Sequence, residues 1–143
     1  MIKSATIYER LGRTIVTADE GTVAGTRESL PLIEVTGLPL DIQGRAILFA
    51  LSAFRDTMVQ TSRHEKQPPS PLHQLVGVKS WSKFDESAKT VRIKQSESDL
   101  TLIPTSYQGP RKGHHHITDK KIVVEASEVA IGAALSRAFS LCD

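Results

Sequence analysis

Between Ala46 and Met58 the apolar residues Ala46, Ile47, Ala50, Leu51, Phe54 and Met58 recur three and four apart, a spacing that paints one face of a helix. The pattern predicts a long helix over Asp41 to Met58, with Asp41 as its N-cap and Pro39 discouraging an earlier start. Gln43, Arg45, Arg55 and Asp56 would then face water or a partner. A second amphipathic stripe, Ile131, Ala134, Leu135 and Ala138 with Phe139 and Cys142 at its margin, predicts a C-terminal helix capped by Ser127. Gly132 inside that helix costs about 1 kcal/mol relative to alanine, so something is expected to pack closely over its backbone. The long helix, which carries Gly44, is the natural neighbour. Trp81, Phe84 and Ala88 behind Ser80 predict a short third helix. Its aromatic face reads as core, with an interface anchor the alternative for Trp81.

The remaining regular pattern is strand-like. Ala5–Tyr8 and Thr14–Thr17 are rich in β-branched residues and flank Arg10-Leu-Gly-Arg13, which predicts a hairpin with Gly12 at positive φ. Asp19 to Ser29 is polar and holds Gly21 and Gly25, which reads as loop, before a third strand at Leu32–Thr36. Val91–Gln95 and Leu100–Pro104 form a pair around the turn Ser96–Ser98, and Val91 and Ile93 alternate with Arg92 and Lys94 as in a sheet with one dry and one wet face. Lys121–Glu125 supplies a last strand. Ser62 to Leu75, with Pro68, Pro69 and Pro71, predicts an extended exposed loop, a connector with recognition segment as the other reading. Neither side of that loop has both a sheet and covering helices. The expectation is one α+β domain over residues 1–143, a mainly antiparallel or mixed β-sheet packed by a long central helix and a C-terminal helix.

Composition narrows the function classes. A chain of 143 residues with 39% apolar and 24% charged residues is long enough to bury its own core without metal or disulfide. A net charge of +2 does not announce a nucleic-acid binder. The single cysteine, Cys142, suits a reducing compartment and reads as a packing residue in an apolar helix. The first ten residues carry charge and lack a signal-like apolar run, and no segment approaches the roughly twenty apolar residues of a membrane span, so a cytoplasmic location is expected.

His114, His115 and His116 are the residues that invite a chemical reading, because imidazole is the commonest zinc ligand and alternate strand residues share a face. No spaced Cys, Asp or Glu completes a tetrahedral set, so no metal and no cofactor are assigned. With Arg111, Lys112, Lys120 and Lys121 the histidines form the most basic neighbourhood of the chain, suited to an anionic surface. Only Tyr107 lies near, and aromatic content is 5%, which argues against the stacking platforms of nucleic-acid modules. There is no Gly-x-Ser-x-Gly elbow, phosphate loop or His-Glu-x-x-His helix, and no catalytic residue is assigned. The pairs Asp19-Glu20 and Asp85-Glu86 read as solvated surface charges without shifted pKa values.

The order of strand, Pro104-Thr105, Gly109 to Gly113, charged strand and the helix Gly132-x-x-Leu135-x-x-Ala138-Phe139-x-x-Cys142 resembles the immunity proteins of bacterial contact-dependent growth inhibition systems. The resemblance covers Trp81 to Cys142 and, more loosely, the long helix with Gly44. It implies a non-enzymatic protein in the bacterial cytoplasm that binds and neutralises the C-terminal toxin domain, in some systems a nuclease, of a CdiA-type effector. Nuclease clefts are basic and call for an acidic inhibitor face, which the linear sequence does not display. A patch assembled in three dimensions, an acidic toxin, or docking away from the cleft all remain open. The contact residues expected are Tyr107, Arg111, Lys112, His114, His115 and His116. The alternative is a small nucleic-acid-binding or His-dependent metal-binding module using the basic 107–121 loop.

Overall fold

The computed structural model describes residues 2–22, 25–59, 71–78, 81–110 and 112–143. Among these residues eight strands form one mixed sheet: β1 (Lys3–Arg10), β2 (Arg13–Thr22), β3 (Gly25–Glu34), β4 (Arg55–Val59), β5 (Ala88–Ser96), β6 (Asp99–Tyr107), β7 (His114–His116) and β8 (Ile122–Glu125). Their order is β3-β2-β1-β5-β6-β7, with β4 added in parallel to β2 and β8 antiparallel to β6. Four helices accompany them: α1 (Leu40–Ser52), α2 (Pro71–Val76), α3 (Trp81–Ser87) and α4 (Glu128–Ser140). The α+β class, the central helix and the C-terminal helix are as the sequence predicts.

The β1–β2 hairpin closes through Leu11 at φ 50° and Gly12 at φ 80°. Two positive-φ residues make the tight turn whose twist matches the strands, which is why glycine stands at the second position. Beyond the hairpin the sequence reading needs correction. Asp19–Thr22 continues β2 and Gly25–Ser29 opens β3, so most of the polar stretch taken for a loop is sheet. Its polarity is that of a sheet face, because Ser4 and Thr6 on β1 and Arg92 on β5 are equally polar there. A bulge between Thr17 and Ala18 absorbs Leu30 and Pro31, where a residue without an amide hydrogen is tolerated.

Helix α1 is also shorter than its periodicity predicts. It starts at Leu40 after Pro39, with no side-chain cap, and Asp41 sits inside the first turn, where a carboxylate still favours the exposed amides. It ends at Ser52, and Arg55–Val59 instead pairs with Glu20–Thr22. That strand pairing overrides the three-and-four spacing of Phe54 and Met58. The proline-rich segment up to residue 70 lies outside the described residues, but Pro71–Val76 is helical, with proline at the first helical position. Ser127 caps α4 as expected, its hydroxyl accepting from the Ala130 amide at 3.2 Å.

Both long helices lie on one face of the sheet. Ala5, Ile7, Val16, Ala18, Val91, Ile93, Leu100 and Leu102 point into a core with Ile47, Ala50 and Leu51 of α1 and Ile131, Leu135, Ala138 and Phe139 of α4. The crossing of α1 and α4 is a backbone contact. A Cβ on Gly44 would run into the Glu128 carbonyl, with its carbon only 2.9 Å away, and a Cβ on Gly132 would meet the Leu40 carbonyl, with its carbon at 2.6 Å. Arg45 clasps Glu128 across the same crossing at 3.0 Å. On the opposite face α2 and α3 cover one end, where Leu72 and Phe84 pack on Tyr8 and Ile15. Phe84 meets Tyr8 edge-on at 5.1 Å between ring centroids. The Trp81 side chain lies outside the described residues.

Gly44→Ala and Gly132→Ala each improve helix propensity by about 1 kcal/mol yet force backbone apart, so each is expected to destabilise by about 1–3 kcal/mol net. Urea denaturation checks this, and a stabilised variant would contradict the close crossing.

Candidate functional site

Away from the end covered by α2 and α3, the sheet's second face is polar, buried and organised around one carboxylate. Asp19 on β2 is 2% exposed. It accepts from the Ser4 hydroxyl at 2.7 Å and the Thr6 hydroxyl at 2.9 Å, both on β1, while Arg92 Nη1 stands 3.5 Å away. The register explains the grouping, because Thr6 is the cross-strand partner of both Thr17 and Arg92. Cross-strand partners share a face, so alternation brings these polar side chains together as surely as it brings Ile7 and Val91 together on the other side.

This network is not saturated. The Thr17 and Thr90 hydroxyls and Arg92 Nε are buried without a hydrogen-bond partner. A buried polar group left unpaired costs about 1–3 kcal/mol. Burial pushes the Asp19 carboxyl above the usual range, against the opposing pull of Arg92, Ser4 and Thr6. Asp85 is raised too, by burial, with His114 opposing. The sequence predicts both carboxylates to be solvated, and the structure buries them in full or in part. Asp19 is buried because β2 runs on into the sheet, and Asp85 is partly desolvated because α3 lies over the strands. Alternation of Arg92 with Val91 and Ile93 was the one sequence signal for this face.

The histidine run forms β7, paired with Thr105–Tyr107 of β6. His114 and His116 share the polar face with Thr105 and Tyr107, as strand alternation predicts. His114 reaches inward, its side chain 9% exposed. Its Nε2 donates to the Asp85 carbonyl at 3.0 Å, its Nδ1 lies 3.2 Å from the Thr105 hydroxyl, and its ring stacks obliquely on Tyr107 at 5.3 Å. The Thr105 hydroxyl donates in turn to the Thr90 carbonyl. His114 therefore ties α3 to the sheet. His115 and His116 are exposed, and His115 Nε2 donates to the Lys112 carbonyl at 2.9 Å. Partial burial first, then Arg92, Lys94 and His115, lowers the His116 pKa. Lys112 is exposed on the turn closed by Gly109 and Gly113, and Arg111 lies outside the described residues. Among the described residues no group of three potential ligands could hold a metal ion. Cys142 packs against the main core, where burial raises its thiol pKa.

Among the described residues the surface opens into cavities. One of about 330 Å³ lies at the end of α1 and α4, between Leu40, Gln43, Leu135 and Phe139, with Glu9 and Lys89 at its edge. Another, about 190 Å³, sits on the polar face between Tyr8, Asp19, Glu28, Asp85, Arg92 and His114. The second gathers carboxylates, guanidiniums and an unpaired hydroxyl, and it adjoins the histidine strand. It is the candidate site.

A family model described as CDI immunity protein, CdiI, matches residues 44–142, more than half of the chain. This chain belongs to the CDI immunity protein family. The match begins at Gly44 in α1 and runs through α4, so it spans both members of the glycine crossing. A protein of unknown function from Neisseria meningitidis, NMB0488, has the same fold, with a TM-score of 0.78 at 17% identity over 100% of this chain and 96% of that one. The CdiA-CT/CdiI toxin and immunity complex from Yersinia pseudotuberculosis contains a chain that superposes with a TM-score of 0.72 at 16% identity, covering 100% of this chain and 98% of that one. No curated protein matches by sequence. Among the described residues no helix is long and apolar enough to cross a membrane.

The raised pKa of Asp19 makes the folded chain hold that proton to higher pH than the unfolded chain does. Stability should therefore fall as pH rises from the ordinary value of 3.8 toward the raised one. Asp19→Asn is expected to flatten that part of the profile, and Asp19→Ala, which leaves the Ser4 and Thr6 hydroxyls without their acceptor, to cost about 1–3 kcal/mol at neutral pH. Urea midpoints measured across pH check both; a profile unchanged by Asp19→Asn would contradict the burial of this charge.

Proposed function

We propose that this immunity protein acts in the bacterial cytoplasm as a stoichiometric, non-catalytic plug for the C-terminal toxin domain of a cognate CdiA-type effector. The family match over residues 44–142 carries the reading. The fold shared with a chain of the Yersinia pseudotuberculosis toxin and immunity complex supports it. Neutralisation leaves almost no free toxin only if affinity is about nanomolar or better, which an interface of about 1,600 Å² supplies when its central contacts are good.

The turn and strand from Tyr107 to His116 form part of the proposed contact surface. Lys112, His115 and His116 are exposed there, Tyr107 is half-buried, and Arg111 belongs to the same turn in sequence. His114 contributes by fixing β7 against Asp85 and Thr105. Exposed charges of this kind steer association more than they hold the complex.

Co-purification with the toxin domain encoded immediately upstream of its gene tests the function: a 1:1 complex and rescue of toxin-expressing cells are expected, and free toxin alongside free immunity protein would refute it. Within that complex, Arg111→Glu with Lys112→Glu should slow association about tenfold at low salt, a deficit that shrinks as salt rises. Stopped-flow kinetics unchanged by the pair would remove the turn from the interface.

A further inference from the structure

The 190 Å³ cavity on the polar face is the place where the fold assembles an acidic site that the linear sequence hides. Asp19 comes from β2, Glu28 from β3 and Asp85 from α3, three carboxylates on one lining against the guanidiniums of Arg27 and Arg92. Both guanidiniums are engaged: Arg92 faces Asp19 at 3.5 Å, and Arg27 pairs at 2.9 Å with Glu20, a carboxylate outside the lining. The surrounding hydroxyls report the resulting field. Tyr8 is held in its protonated form by burial first and then by Glu28 and Asp19, with Arg92 opposing. Tyr107, stacked on His114, is raised by burial and then by Glu86 and Asp85.

A second observation points to a ligand. Thr90 lines the cavity, is only 8% exposed, and its hydroxyl has no hydrogen-bond partner. Buried hydroxyls are normally paired, so an orphan on the wall of an open cavity marks a position where an incoming group completes the bonding. The space is roughly ten times or more what a single water requires, about 10–15 Å³. The rim is accessible, since the Arg27 side chain there is 41% exposed. A multi-donor cation fits the acceptors of this lining: its N–H groups donate to the Thr90 oxygen and to desolvated carboxylates, and its charge offsets the burial of Asp85 and Asp19. An anion would meet three carboxylates.

We propose that this cavity is a socket for one basic side chain, arginine or lysine, presented by the toxin. The inference rests on the toxin-binding reading above and names the chemistry of the group that this face receives. It places an electrostatic anchor at the centre of the polar face, beside the steering charges of the 107–116 turn.

Two arms test it. In the first, ethylguanidinium chloride is titrated into the isolated protein, with sodium chloride matched, and backbone amide shifts are followed. Saturable shifts at Glu28, Thr90 and Arg92, weakened severalfold in Asp85→Asn, are expected. No shifts there, or the same shifts produced by inorganic phosphate, would overturn the socket. In the second arm the upstream-encoded toxin domain is the probe. Asp85→Asn and Thr90→Val should each raise Kd by about tenfold, chiefly through faster dissociation, with melting temperatures near wild type. Thr90→Ser, which keeps the hydroxyl, should restore binding. A toxin that binds wild type and both variants equally would overturn the proposal. If wild type binds no toxin at all, the toxin reading falls, and the ethylguanidinium arm decides the socket separately.

Discussion

The architecture depends on two glycines. Gly44 and Gly132 let α1 and α4 cross with backbone against backbone, each glycine facing a carbonyl of the other helix. Only at that distance do both helices fit over one face of the sheet and bury the row from Ile7 to Leu102. The crossing costs helix propensity at two positions and is offset by dense packing of Ile47, Leu51, Ile131 and Leu135 beneath it. Glu128 links the two levels of this contact, since its carbonyl faces Gly44 while its carboxylate holds Arg45.

With the long helices on one side, the other face of the sheet carries polar rather than apolar burial. The short helices α2 and α3 cover one end, sealed by Leu72 and Phe84 on Tyr8 and Ile15. The rest holds Ser4, Thr6, Thr17, Asp19, Thr90 and Arg92, of which all but Arg92 are buried, with Ser4 and Thr6 bonded to Asp19. Such a network stabilises less than apolar packing of equal volume would, because two hydroxyls and a guanidinium nitrogen lack partners. A protein whose work is recognition has a use for that arrangement. One end is packed apolar, the other gathers charge, and His114 ties α3 and β7 together at the border between them.

The apolar half of this plan was legible in the sequence. The stripes of α1 and α4, the cap at Ser127, the turn at Gly12 and the need for a close neighbour at Gly132 all follow from local rules and hold in the structure. What misled was the assumption that polar means solvated. Asp19 to Ser29 looks like loop because its side chains are polar on the very face where the sheet is polar. Asp85 looks like surface because its burial comes from elements far away in sequence. The end of α1 failed for a related reason: Arg55–Val59 is claimed by the edge of β2 beyond the end of β1, a tertiary pairing with no trace in periodicity. The three carboxylates of the polar cavity have the same origin, brought together from β2, β3 and α3 rather than written as a run.

The central claim is that the helix-covered side is scaffold and the polar side is the working surface. Hydrogen–deuterium exchange of the protein with and without the toxin domain tests it most directly. The account predicts new protection in β2, β3, α3 and the 107–116 turn, with α1 and α4 unchanged. Protection confined to the outer faces of α1 and α4, with the polar strands exchanging as before, would contradict it.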